Sequence, residues 1–461
     1  MISATPEQEI ATAAGTPVSE TPTPLSPTTK IRSLLSKRVS NGKAMGQTVL
    51  SLADQGVISI ANFVTGVIIA RARSKEELGL YMLGNTLVLL MTDFQTSLIT
   101  TPYMVYAPRL KGREHALYTG STLIHQLAFC FIGMLGVLCG SFATAQGFGP
   151  RAMAPVLWTL AFVIALIMLR EHARRISFAR LKIKTVFLFD LCIAVVQVGG
   201  LFALKLLGLL TVSRAFWVVG SACGLAVVGW LWSDRDFFEP RFRQSIDDFK
   251  RNWKIGKWVF ASGLIWAISM NLYPWILASF HGVASTGLWA AALGVISLGS
   301  PIVMGLQNLI GPKVAHIYAE KGHGALRRFV FQITGLVAAL MSVFCLIMFI
   351  WGNHLVALLY GRQYLGNGLT IAVLALNVTV QALAFCFSRA LFAIDRADLD
   401  FATNFTALVI MLTLGLWLVR AYGPLGAAFG LLGANLATSA VRAMLFLRLP
   451  ASIPAEQAAR L

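Results

Sequence analysis

Residues 168–184 read MLREHARRISFARLKIK, with six basic side chains (Arg170, Arg174, Arg175, Arg180, Lys182 and Lys184) against one acid, Glu171. Guanidinium groups one helical turn apart, as Arg170 and Arg174 are, can hold a phosphate or diphosphate through paired, charge-assisted hydrogen bonds. Arg175 extends this patch, and Arg109 stands in an earlier basic connection, APRLKGREH. These four residues are the candidate anion-binding set. The plainer reading is a solvated basic face.

Two acids stand inside apolar stretches: Asp54 in VLSLADQGVISIANF, and Asp93 in LLMTDFQTSLITTPY with Gln95 two residues on. A carboxylate deep in an apolar helix costs about 2.5–3.5 kcal/mol on insertion scales, so each must face a cavity, a coupling ion or a basic partner. Asp54, Asp93, Gln95 and Arg389 (AFCFSRALFAIDR) are therefore candidates for a substrate cavity or for coupling to H+ or Na+; a structural ion pair is the alternative for Asp54, and snorkelling the alternative for Arg389. Asp190 is expected to pair with nearby Lys184. Arg71 and Arg73 suit either an outer gate or pairing with Glu76 and Glu77, and pairing is the expectation.

Other patterns carry no chemistry. Asp234-Arg-Asp236 and Asp398-Leu-Asp400 match the D-x-D of nucleotide-sugar transferases, but this spacing arises readily by chance in charged loops. The histidines at 281, 316, 323 and 354 are scattered without metal-ligand spacing. There is no GxxxxGK[ST] phosphate loop, which excludes ATP as direct driver. The six cysteines all lie in apolar runs without a CxxC pair and read as packing residues.

The elements that must position these groups follow from composition. The 461 residues are 57% hydrophobic and 13% charged, with a mean hydropathy of +0.71. A soluble domain carries about 25% charged residues. The sequence therefore predicts an all-α polytopic membrane protein of about twelve transmembrane helices. The spans fall near 46–70, 79–107, 116–143, 151–169, 184–205, 212–232, 256–280, 286–311, 328–351, 366–394, 401–420 and 425–447. Of the 38 lysines and arginines, 30 fall on the side of the termini and 8 on the other. The positive-inside rule then places both termini in the cytoplasm. The net charge of +18 accordingly reads as topology and anionic lipid, not nucleic acid. Five segments are expected: a disordered Thr/Pro-rich tail over 1–40, a six-helix lobe over 41–232, a basic cytoplasmic linker over 233–255, a second six-helix lobe over 256–450, and a tail over 451–461.

The two lobes read as related. VIIARARSKEELGLYMLGNTLVLLM from Val67 aligns with WILASFHGVASTGLWAAALGVISLG from Trp275 at a constant offset of 208, putting Gly79-Leu80-Tyr81 on Gly287-Leu288-Trp289. Transporters built from such repeats bind substrate between them, around a central cavity, and alternate access by rocking.

Three features together resemble the bacterial polysaccharide-export flippases of the multidrug/oligosaccharidyl-lipid/polysaccharide superfamily, the O-antigen and exopolysaccharide type. They are Ala70-Arg71 followed by Glu77-Leu78-Gly79-Leu80-Tyr81, the Arg-rich connection with Arg174-Arg175 and Ala179-Arg180, and the six-plus-six layout over about 42–450. The chain departs from that pattern at Ser74-Lys75 and in its Thr/Pro tail. The resemblance implies translocation of a lipid-linked oligosaccharide, on a polyprenyl diphosphate, from the cytoplasmic to the outer leaflet of the bacterial inner membrane. It implies alternating access driven by an ion gradient or membrane potential, no cofactor, and membrane lipids and polysaccharide polymerase or export machinery as partners. A cation-coupled multidrug antiporter, a peptidoglycan-precursor flippase, a membrane glycan polymerase or ligase, and a non-transporting scaffold are the competing readings. Short outer loops argue against the polymerase or ligase, and cationic inner mouths against the antiporter.

Overall fold

The structure, a computed structural model, describes residues 27–234, 238–394 and 397–448. The expected tail thus lies outside the described residues over 1–26, as does the segment 449–461. From Pro27 the chain is helical. Proline suits a first helical position, and Ile31, Leu34, Leu35 and Val39 follow at helical spacing. The chain forms two compact units, Met1–Leu52 and Ala53–Leu461.

Among the described residues every regular element is helical. In order these are α1 (Pro27–Ala72), α2 (Lys75–Gln95), a π-turn (Thr96–Thr100), α3 (Thr101–Tyr106), α4 (Gly112–Ala145), α5 (Ala154–Ala179), α6 (Ile183–Leu206), α7 (Val212–Asp234), α8 (Phe242–His281), α9 (Val283–Ile296), α10 (Ser300–Tyr360), α11 (Gly368–Ala393), α12 (Ala397–Ile410) and α13 (Leu416–Arg448). Among the described residues nine stretches are long and apolar enough to cross a membrane. One of them, Phe405–Arg448, is two helices, because Gly423 breaks it with φ 57° and ψ −132°. Two further crossings carry more polar residues: α2 with its continuation to Tyr106, and α8. The twelve expected spans therefore all find a helix.

Local chemistry sets several boundaries. Ser74 caps α2 by accepting from the Glu77 amide at 3.4 Å, and Glu76 and Glu77 place negative charge on the first turn. At the other end the Ser97 hydroxyl donates to the Asp93 carbonyl at 2.9 Å. Such back-bonding loosens the ladder where α2 widens into the π-turn.

Packing follows membrane logic, in which van der Waals fit replaces the hydrophobic drive. Large apolar side chains such as Phe131, Ile132, Phe142, Trp158 and Leu188 point outward, where lipid would meet them. One core gathers Leu83, Val156, Leu160, Ile164 and Phe216 of the first half. The larger core gathers Leu277, Trp289, Val337, Leu374 and Ala427 of the second half and takes in Ile68, Ile69 and Ala70 from the end of α1. The last turns of α1 therefore pack as part of the opposite half.

Candidate functional site

The basic stretch occupies the last turns of α5, at the end expected from the charge bias to be the inner one. Helical geometry stacks Arg170 and Arg174 on one row and Glu171 and Arg175 on the next. The short connection to α6 turns at Leu181, which adopts φ 56°. It folds α6 back along α5, so residues equidistant from the turn meet. Arg174 Nε lies 2.7 Å from Asp190 Oδ2, and Arg170 also hydrogen-bonds Asp190. Asp190 thus takes the two α5 arginines as partners in place of the expected Lys184.

Arg174 reaches a second acid. Its Nη2 donates to Asp54 Oδ2 of α1 at 2.7 Å. Glu171 holds Arg175 Nε at 2.6 Å and lies 3.4 Å from Arg170 Nη1, while Phe178 lies under the Arg174 guanidinium at 5.0 Å. Asp54 and Asp190 are each 1% exposed and Arg174 is 9% exposed. Three arginines and three carboxylates neutralise one another, binding α1, α5 and α6 into one body. Gln197 of α6 adds a hydrogen bond to Thr65 of α1 at 2.9 Å.

This arrangement changes what the arginines offer. An incoming diphosphate must compete with carboxylates for Arg170 and Arg174. Arg175 keeps 40% of its side chain exposed, and Arg109 is exposed at the end of a short turn after α3. The remaining candidates stand apart from this cluster. Gln95 is fully buried and donates to the Met168 carbonyl at 3.0 Å. Asp93 is half-buried and has no ion-pair partner among the described residues. Arg389, in the second half, is exposed and lies over Phe385 and Phe392, at 4.6 and 5.4 Å.

Two polar features escaped sequence reasoning. His172 of α5 and Gln126 of α4 are buried, and nothing in their spacing marks them. Asp234, from the D-x-D pattern, is held by Lys182 at 2.6 Å and Arg180 at 3.1 Å, a structural use. Its companion Asp236, like Asp398 and Asp400 of the other match, lies outside the described side chains. No cluster of three or more potential metal ligands occurs among the described residues.

The outer end is fastened differently. Gly79 of α2 and Gly287 of α9 pack backbone to backbone. A Cβ on Gly79 would lie 2.0 Å from the Val283 carbonyl oxygen, and one on Gly287 would lie 2.0 Å from that of Lys75. Lys75 and Val283, like Gly79 and Gly287, differ by the repeat offset of 208, so the contact is reciprocal, as across a two-fold axis. Around it Arg71 donates from Nε to the Leu359 carbonyl at 2.8 Å and from Nη2 to that of Leu358. Gln363 Nε2 returns to the carbonyls of Ala70 at 2.9 Å and Arg73 at 3.0 Å. Arg73 pairs with Glu77 at 2.6 Å as expected, whereas Arg71 bonds the Leu358 and Leu359 carbonyls in place of an acid.

A family model described as polysaccharide biosynthesis protein matches residues 109–369. No curated protein matches the chain. Among solved structures, the lipid II flippase MurJ in an inward closed conformation aligns with a TM-score of 0.68 at 14% identity, covering 87% of this chain and 88% of that one. An inward-facing multidrug resistance MATE family transporter of the MOP superfamily gives 0.67 at 14% identity, covering 85% and 94%. A MOP superfamily transporter from Pyrococcus furiosus gives 0.58 at 13% identity, covering 87% and 93%. The chain has the fold that these transporters share.

Proposed function

Because the chain belongs to the polysaccharide biosynthesis protein family, we propose that it moves a lipid-linked oligosaccharide or polysaccharide repeat unit from the cytoplasmic to the outer leaflet of the bacterial inner membrane. The observation that carries this reading is the family match on a fold shared with a lipid II flippase. The termini face the cytoplasm, following the charge bias. The protein acts as a transporter and not an enzyme.

The geometry is consistent with a rocking movement of the two halves. The charged cluster makes α1, α5 and α6 one body, and the outer clasp joins that body to the second half. Opening the clasp requires exchanging a few backbone hydrogen bonds and separating two glycine surfaces, with no buried charge exposed. The polyprenyl chain stays in lipid while the diphosphate and sugars cross between the halves. Arg109 and Arg175, the exposed members of the basic set, meet the diphosphate at the inner mouth. Asp93, half-buried without a counter-charge, is the acid placed to accept H+ or Na+ from the driving gradient, and Gln95 and Arg389 are cavity candidates. The polymerase or export machinery takes the released glycan.

The test is deletion in the host followed by assay of inverted inner-membrane vesicles with an added glycan-modifying enzyme. A polyprenyl-linked oligosaccharide should accumulate on the cytoplasmic leaflet, and restoring the gene should clear it. Absence of accumulation together with new sensitivity to cationic dyes would replace this reading with drug efflux.

A further inference from the structure

The connection between the halves enters α8 with an unusual distribution of side chains. Phe242, Ile246, Phe249 and Trp253 are 75%, 50%, 50% and 46% exposed. At 3.6 residues per turn they share an arc of roughly 60°. Arg243, Lys250 and Lys254 are exposed as well and form a stripe roughly 90° to one side, with one acid, Asp247, at its edge 3.6 Å from Lys250. Ser245 and Asn252 lie on the other side and are buried, 4% and 1% exposed.

That buried side faces α4. The Tyr118 hydroxyl donates to Asn252 Oδ1 at 2.8 Å, and His125 Nε2 donates to the Ser245 carbonyl at 2.8 Å. Arg251 lies over the Tyr106 ring at 4.1 Å. The polar face is therefore turned into the protein and the aromatic face away from it, the reverse of an ordinary surface helix. Protein to one side, an apolar stripe in the middle and a basic stripe beyond it is the side-chain layout of a helical segment that meets a membrane surface, here the turns that lead into the crossing part of α8. The flanking positive charge selects the chemistry of that surface.

We propose that residues 242–254 form an interfacial anchor that binds anionic phospholipid of the cytoplasmic leaflet and so pins the connection between the two halves to the membrane. Aromatic side chains enter the acyl boundary, and Arg243, Lys250 and Lys254 meet the phosphate headgroups. The anchor rests on the membrane reading alone and is independent of which substrate is carried.

The test uses the full chain in phosphatidylcholine nanodiscs, with the exposed Cys139 and Cys192 replaced by alanine and a bimane fluorophore on Ile246→Cys. Doxyl-labelled phosphatidylglycerol or doxyl-labelled phosphatidylcholine serves as quencher. With every basic residue in place, both lipids should quench, and phosphatidylglycerol should do so at a several-fold lower mole fraction. Arg243→Gln, Lys250→Gln and Lys254→Gln should each weaken that preference, by up to about five-fold per charge, and the triple variant should remove it. Phe249→Leu keeps the apolar face and should retain the preference, which separates lipid binding from misfolding. Quenching by neither lipid would mean that a second copy, another protein or water covers the face, and would overturn the proposal. Equal quenching by both lipids with the basic stripe intact would overturn it too. Neither readout involves translocation, so a failed glycan assay leaves this result standing.

Discussion

The inner charged cluster and the outer clasp fasten helices by different chemistry. Inside, Arg174 joins Asp54 and Asp190 in a buried network belonging wholly to α1, α5 and α6. Outside, Arg71, Gln363 and the Gly79–Gly287 contact join the first half to the second through backbone carbonyls and bare backbone. Breaking one partner of a buried ion pair costs about 3–5 kcal/mol because the other charge is stranded. A hydrogen bond to an accessible carbonyl is worth about 0.5–1.5 kcal/mol. Paired buried charge thus ties helices of one half together, whereas single hydrogen bonds and close backbone contact join the two halves, the contacts that the proposed function requires to part.

Arg174→Ala should produce the largest effect. It strands Asp54 and Asp190, and thermal unfolding in detergent should show a loss of about 3–5 kcal/mol. Arg174→Ala combined with Asp54→Asn and Asp190→Asn should recover much of it. If the single variant were as stable as wild type, the inner cluster would not be a permanent tie and the contrast would collapse.

Gly79→Ala and Gly287→Ala come next, each placing a methyl on an opposing carbonyl at a cost of about 1–3 kcal/mol. Here the strain should appear as outer opening more than as unfolding. Spin labels at Lys205 and Arg420, near the outer ends of the two halves, should report a longer distance, similar for both variants because the contact is reciprocal. An effect confined to one of the two would break the proposed symmetry.

Arg71→Ala should do less. Loss of its bonds to Leu358 and Leu359 should shift the open fraction by about two- to ten-fold, measured with the same labels, without lowering the unfolding temperature noticeably. The exposed Arg113–Glu239 pair, at 3.1 Å, provides the baseline. Arg113→Ala should change stability by no more than about 1 kcal/mol and leave the label distance unchanged.

Part of this contrast was legible beforehand. Glu171 stands three and four residues from Arg174 and Arg175, so its pairing follows from helical spacing alone. The assignment of Asp190 to Lys184 failed because it weighed sequence neighbours, while the α5–α6 turn brings Arg170 and Arg174 back to Asp190. Asp54 was recognisable as a buried acid needing a partner, but that partner lies 120 residues away. Arg73 pairs locally as expected. Arg71 lies in the last turn of α1, whereas Arg73 follows the end of that helix, and Arg71 meets a helix end 288 residues further on.

Hydropathy, charge bias and the 208-residue repeat by themselves determined the helices, their expected orientation and the correspondence of Gly79 with Gly287. These depend on local composition and on period, which a linear chain displays directly. That the two glycines touch each other, that the arginines of α5 are neutralised from within, and that the aromatic stripe of α8 is left facing outward were decided by tertiary structure. Each depends on how helices far apart in sequence are rotated about their own axes, and that rotation is set by packing against neighbours.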